Sequence, residues 1–210
     1  MMPGFRLGLE FFERLEKVDG SIAALVAAAG CSHCGGPLHC ANYQRKPRGG
    51  LMAKGGEVST LRHSLCCGRR GCRKRSLPPS LRFLGRRVYL EAAVILGSAL
   101  TAAQACLRVA VDAAGVPART LRRWGVWWRE VFPVSHTWAE LRARLLPPAP
   151  DEASLPGSLL QHLQNRCADA RDPKGESVAL AARYLAPITT QSVEEGSRFV
   201  RDAFVLAAQG

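Results

Sequence analysis

Cys31-Ser-His-Cys34-Gly-Gly36 and, further along, Cys66-Cys67-Gly-Arg-Arg-Gly-Cys72-Arg-Lys-Arg75 are the two stretches on which the reading of this chain turns. Each holds a pair of cysteines in a glycine-containing turn, and paired thiolates at such spacings suit one tetrahedral metal ion bound by four sulfurs. A metal held this way folds a segment too short to build its own core. Cys31 and Cys34 supply the first pair, and Gly35-Gly36 leaves the backbone room to bring N–H groups to the sulfurs. The second pair is Cys72 with either Cys66 or Cys67, because adjacent residues of a strand point to opposite faces and only one of them reaches the metal. Gly68 in the following turn favours Cys67. His33, His39 and Cys40 are the reserve ligands. With all four positions taken by protein, Cys31, Cys34, Cys67 and Cys72 are expected to hold a structural Zn2+, not a catalytic one.

Between the two pairs, Leu38–Gln44 and Val58–Cys66 read as strands flanking a Gly/Lys/Arg-rich loop at 46–56, so residues 31–76 are expected to form a small β zinc ribbon. Helical patterns surround it. Phe5, Leu9, Phe12 and Leu15 give an amphipathic helix, and Asp19-Gly20-Ser21 is placed to cap a second one ending at Gly30. From about Leu81 to Arg129 the pattern is helical again. Pro147 to Pro156 reads as a stiff polar linker. Beyond it Leu159–Cys167, Val178–Ala186 and Val193–Ala208 read as three short helices. The expected fold is thus mainly α with a small β zinc ribbon. Its parts are N-terminal helices at 1–30, the ribbon at 31–76, a helix-turn-helix domain at 77–146, and a linker with C-terminal helices at 147–210.

Charge is concentrated in one place. The 210 residues carry a net charge of +12. Residues 31–90 contain 13 Lys/Arg against Glu57 alone, while the remainder holds 16 of each sign. Arg69, Arg70, Arg73, Lys74, Arg75, Arg82, Arg86 and Arg87 form a run without any acid, which points to a polyanion that neutralises it. A hydrophobic fraction of 47% supports a packed core. The uncharged run Ala92–Leu107 is too short and too interrupted to span a membrane, so a buried helix is expected there. The segment Ser21–Gly30 before Cys31 superficially resembles a lipoprotein cleavage site, but Glu10, Glu13, Glu16 and Asp19 precede it and argue against export. Reduced thiols and a cytoplasmic location are therefore expected, with no membrane partner.

The stretch Val109-Ala-Val-Asp-Ala-Ala-Gly115-Val-Pro-Ala-Arg-Thr-Leu-Arg-Arg-Trp124 has the grammar of a helix-turn-helix. Small residues Ala110 and Ala114 let two helices cross, Gly115 makes the turn, Val116 plugs the core and Pro117 begins the second helix. Leu121 and Trp124 pack inward. Arg119, Thr120, Arg122 and Arg123 are left on or near the exposed face that enters a major groove in this motif. Trp127, Trp128 and Trp138 read as core residues around it, as do Cys106 and Cys167.

Residues 115–124 resemble the DNA-binding modules of bacterial transposases and their accessory proteins, and Cys-x2-Cys…Cys-x4-Cys followed by Arg-Lys-Arg is similar to the zinc ribbon that precedes such modules. Val111 departs from the alanine usual at that helix crossing. The resemblance covers about residues 31–130. It implies recognition of double-stranded DNA around Arg119 to Arg123, with a transposase or recombinase encoded nearby as a further partner. No catalytic role is expected: Asp169, Asp172, Glu194, Glu195 and Asp202 read as solvated helix faces, and no strand pattern follows residue 130 to carry an acidic triad. The leading expectation is a non-catalytic DNA-binding accessory or regulator of a mobile element. The alternatives are a stand-alone transcriptional regulator and an RNA-binding zinc-ribbon protein. The DNA target and the oligomeric state are not legible in the sequence.

Overall fold

A computed structural model describes residues 7–45, 60–83, 90–102, 107–145, 147–189 and 193–209. Most of the loop between the cysteine pairs, together with Arg86, Arg87 and Cys106, lies outside the described residues. The chain is mainly helical with a small antiparallel β portion.

The first helix, α1 (Leu9–Ala29), is continuous where two helices were expected. Phe11, Phe12, Leu15, Val18, Ile22, Ala23 and Val26 form one buried stripe at helical spacing along it. A glycine in a helix interior costs roughly 1 kcal/mol relative to alanine, and this stripe carries α1 through Gly20. Asp19 is therefore not a cap of its own helix. It lies in the buried stripe, and its carboxylate caps a different segment: it accepts hydrogen bonds from Ser80 Oγ (2.6 Å), the Leu81 N–H (2.7 Å) and Arg82 Nε (3.0 Å).

The β portion is a ladder interrupted once. Strand β1 (Leu38–Cys40) runs antiparallel to β4 (Leu65–Cys67), with Leu38 opposite Cys67 and His39 opposite Cys66. Strand β5 (Arg75–Ser76) pairs on the other side of β4. Strands β2 (Tyr43–Gln44) and β3 (Leu61–Arg62) form a separate two-stranded ladder. The expected single hairpin is broken where the Asn42 side chain accepts the Ser64 N–H at 3.0 Å, replacing one backbone rung.

Helix α2 (Glu91–Ala102) is the hub of the helical body. Ala92, Ala93, Val94, Ile95 and Leu96 are all buried, as expected for a helix that is apolar all round. It packs against α3 (Leu107–Ala114), α4 (Ala118–Val126), α6 (Gly157–Arg166) and α7 (Pro173–Leu185). Gly97 lets α3 and α4 come close to α2: a Cβ there would lie 3.0 Å from Leu121 Cδ2 and 3.3 Å from Ala114 Cβ. After α4 the chain continues into a π turn at Trp127–Val131, which turns Trp128 and Phe132 inward with ring centroids 4.7 Å apart. Trp138, on α5 (His136–Arg142), closes this aromatic cluster against Phe132 at 5.4 Å. Trp128 and Trp138 are buried as expected, and Trp127 is half-buried.

The proline-rich stretch expected to be a linker is tied down instead. Leu155 is buried, Asp151 caps a 3-10 turn at Glu152–Ser154, and Glu152 accepts hydrogen bonds from Trp138 Nε1 (2.8 Å) and Arg142 (2.9 Å). The three expected C-terminal helices are present as α6, α7 and α8 (Val193–Gln209). Helix α8 packs against α1, and an Arg14–Glu176 ion pair joins α1 to α7.

Candidate metal centre and nucleic-acid surface

Cys31 follows directly on the end of α1, and the chain reverses at once. The Gly35 N–H donates to the Cys31 carbonyl at 2.7 Å, and the Cys31 N–H donates to the Gly36 carbonyl at 2.9 Å. The second turn leaves β4 at Cys67, whose N–H donates to the Lys74 carbonyl at 2.9 Å, while the Gly68 N–H reaches back to Pro37 O at 2.9 Å. These bonds bring the two turns face to face. The sulfurs of Cys31, Cys34, Cys67 and Cys72 then lie within 4.8 Å of one another. Cys34 Sγ and Cys67 Sγ are 3.5 Å apart, and Cys31 Sγ and Cys72 Sγ 3.9 Å. A tetrahedral ion with metal–sulfur bonds of about 2.3 Å needs its sulfurs about 3.8 Å apart. The four cysteines therefore form a site that could bind a metal.

Backbone dipoles point at this cluster. The N–H groups of Gly36, Arg69 and Lys74 each donate to the sulfur two residues earlier, those of Cys34, Cys67 and Cys72. Gly36 keeps the turns close: a Cβ there would sit 3.1 Å from Arg69 Cβ, 3.2 Å from Cys67 Sγ and 3.3 Å from Cys34 Sγ, so the neighbours would have to give way by a few tenths of an ångström. The Gly36 N–H, aided by Cys72, draws the Cys34 thiol down to about 7. At Cys67 the Arg69 N–H pulls the other way from burial and the neighbouring thiols, and the balance pushes that thiol up to about 12. Cys72 is also raised, its Lys74 N–H bond opposed by burial and by Cys34 and Cys31. Sulfurs this close cannot all ionise without a cation among them, and a divalent ion supplies one.

The alternation of β4 separates Cys67 from Cys66. Cys67 is fully buried in the cluster, while Cys66 Sγ turns away and donates to the Arg73 carbonyl at 3.5 Å. Of the reserve ligands, His33 lies beside Lys74 (Nδ1 to Nζ, 3.2 Å), and His39 and Cys40 are exposed on β1 outside the cluster.

Arg69, Arg70, Arg73, Lys74 and Arg75 are all exposed, on or beside the second turn. Arg69 also donates to the Cys34 carbonyl at 3.1 Å, bracing the two turns. Arg82 does not belong with them. It is buried, donates to Asp19 and to the Leu61 carbonyl (2.9 Å) and pairs with Glu16 at 3.4 Å, so it cannot meet a phosphate. Arg62 is likewise buried and donates to Pro78 O at 2.6 Å; burial lowers its pKa and Asp19 opposes that shift.

Helices α3 and α4 meet at Gly115 (φ 60°), with Val116, Leu121 and Trp124 buried. Pro117 stands just before α4 and contributes its carbonyl to the Thr120 and Leu121 N–H groups (2.8 and 3.2 Å). Arg119, Arg122 and Arg123 are exposed as expected. Thr120 is not: it is only 8% exposed, on the same side of α4 as Leu121 and Trp124, and cannot present its hydroxyl to a ligand. Asp19 is a buried acid that sequence reasoning missed. Its place four residues after Leu15 and three before Ile22, within the apolar stripe, was the signal that could have found it.

No family model, curated protein or solved structure matches the chain. Among the described residues no helix is long and apolar enough to cross a membrane.

Proposed function

We propose that this chain binds double-stranded DNA through α4 and the basic turn of a zinc ribbon, as a non-catalytic accessory or regulator of a mobile element. The observation that carries the reading is how the exposed cations are distributed. Elsewhere Arg14, Arg142 and Arg144 are exposed with carboxylate partners, while Lys17, Arg129, Arg166, Arg171, Lys174, Arg198 and Arg201 are exposed without an ion-pair partner among the described residues. Clustering, and not the lack of a partner, therefore sets the ribbon turn and α4 apart. Arg69, Arg70, Arg73, Lys74, Arg75, Arg119, Arg122 and Arg123 are exposed and have no ion-pair partner among the described residues. Unneutralised arginines on the outer face of the second helix of a helix-turn-helix suit phosphate and base-edge contacts. The four-sulfur cluster suits zinc, which takes tetrahedral thiolate sites and leaves no open position for chemistry. Its work is to hold the basic turn at 69–75 in shape against its own repulsion.

Two measurements test this. In duplex binding followed against salt, Arg122→Ala/Arg123→Ala is expected to weaken the complex and to reduce the log–log salt slope by about one for each phosphate no longer neutralised. An unchanged slope, or tighter binding to structured RNA than to any duplex, overturns the reading. Metal analysis of purified protein is expected to give one zinc per chain, kept by Cys66→Ser and lost by Cys67→Ser. Iron in place of zinc, or metal loss in both variants, removes the ribbon.

A further inference from the structure

A second group of arginines lies far along the sequence from the ribbon and from α4. It lines a cleft of about 310 Å³ between α5 on one side and the end of α7 with α8 on the other. Leu141 and Arg144 come from α5 and the turn after it, Arg183 and Tyr184 from the last turn of α7, and Ser197 and Arg201 from α8. The volume falls at the small end of the range for ligand pockets, roughly 300–1,000 Å³.

The charges in the cleft do not cancel. Among the described residues Glu140 is its only acid, and it is already engaged by His136 (3.1 Å) and Arg144 (3.6 Å). Arg183 and Arg201 have no ion-pair partner among the described residues. Arg183 is half-buried with its guanidinium 4.0 Å from the centre of the Phe204 ring, a cation held in place by an aromatic face. Burial lowers its pKa, yet an arginine stays charged, so the site keeps a desolvated cation that an anion would relieve. Tyr184 adds a hydroxyl donor, and Leu141, Pro187 and Val200 give an apolar wall.

We propose that this cleft is a binding site for a small phosphomonoester with an apolar or aromatic body. The forks of Arg183 and Arg201, with Arg144 and the Tyr184 hydroxyl, offer more donors than the two oxygens of a carboxylate can use, whereas a phosphoryl group presents three oxygens. The cleft is concave and small, unlike the open surfaces that follow a duplex backbone. The site is independent of α4 and of the DNA reading.

The test uses the full chain, titrated calorimetrically at low ionic strength with phenyl phosphate, benzoate and phenol. Phenyl phosphate is expected to bind one equivalent, at least about tenfold more tightly than benzoate, with phenol silent. Arg183→Met, which keeps an aliphatic stem against Phe204, is expected to weaken it by at least about tenfold. Arg201→Gln, an exposed position whose replacement leaves the core alone, serves if the first variant folds poorly. Arg122→Ala/Arg123→Ala is expected to leave binding unchanged. Equal affinity for benzoate, binding indifferent to both cleft variants, loss in the α4 variant, or displacement of phenyl phosphate by a short DNA duplex would each overturn the proposal.

Discussion

Replacing Asp19 by alanine is the most searching test of how the β portion is joined to the helical body. The carboxylate is 1% exposed and receives three donors: Ser80 Oγ at 2.6 Å, the Leu81 N–H at 2.7 Å and Arg82 Nε at 3.0 Å. Arg82 has no exposed side-chain surface and directs its other nitrogens to Leu61 O in β3 and to Glu16. Arg62 is buried nearby and is also favoured in its charged form by Asp19. Removing the acid therefore takes a stabilising carboxylate from two buried guanidiniums, while Arg82 keeps its ion pair with Glu16, whose side chain is 33% exposed. Breaking a buried, hydrogen-bonded pair on one side costs about 3–5 kcal/mol. The crowding of two cations here places Asp19→Ala toward the upper end of that range. Asp19→Asn keeps an acceptor for Leu81 and loses the charge, so about half that loss is expected.

Urea unfolding of the chain, followed by helical circular dichroism and tryptophan fluorescence, measures both variants. A shift in midpoint without a change in slope marks a stability effect. The double variant Asp19→Ala/Arg82→Leu removes both charges of the pair and should lose less than the sum of the single losses, with a coupling of about 1–3 kcal/mol. A loss below about 1 kcal/mol for Asp19→Ala, the value of an exposed ion pair, would refute the reasoning. So would strict additivity in the double variant.

Three further outcomes follow from the same packing. Gly97→Val should cost about 1–3 kcal/mol and separate α2 from α4, because the new Cβ would lie 3.0 Å from Leu121; wild-type stability in thermal unfolding would contradict it. Ser135→Ala removes the hydroxyl that accepts the Trp138 N–H at 3.2 Å at the start of α5 and should cost about 1 kcal/mol, read as a lower urea midpoint. His63 has its pKa lowered, first by burial, against Asp19 and with Arg82 and Arg62 reinforcing the shift. The unfolded chain then binds its proton more readily, so this residue's share of stability is full at neutral pH and falls as pH drops below about 6.5. His63→Gln should flatten the loss of stability between about pH 8 and pH 5 relative to wild type; parallel curves would exclude the residue.

What could be read from the sequence and what could not divide along a physical line. The cysteine cluster, the preference for Cys67 over Cys66, the turn at Gly115 and the inward Leu121 and Trp124 were legible because each depends on neighbours within a few residues: a knuckle spacing, strand alternation or a helical period. Asp19 and Arg82 were misread because their partners are distant in the chain, whereas Thr120, four residues before Trp124, shares that residue's buried side of α4. Asp19-Gly20-Ser21 has the local form of a cap, and only the arrival of Ser80 to Arg82, some sixty residues later, makes that acid a buried anchor. Arg82 sits inside an acid-free run, so composition alone assigned it to a polyanion, yet its counter-charge was in α1. This correction strengthens the remaining assignment. Arg82 is buried in an ion pair, and setting it aside leaves Arg69 to Arg75 as a compact exposed group beside the four sulfurs. Such an acid-free group of cations repels itself and works against the compact state. On the DNA reading proposed above, the arginines of the 69–75 turn and of α4 meet one dense line of negative charge, and the salt slope of binding measures whether both surfaces do so.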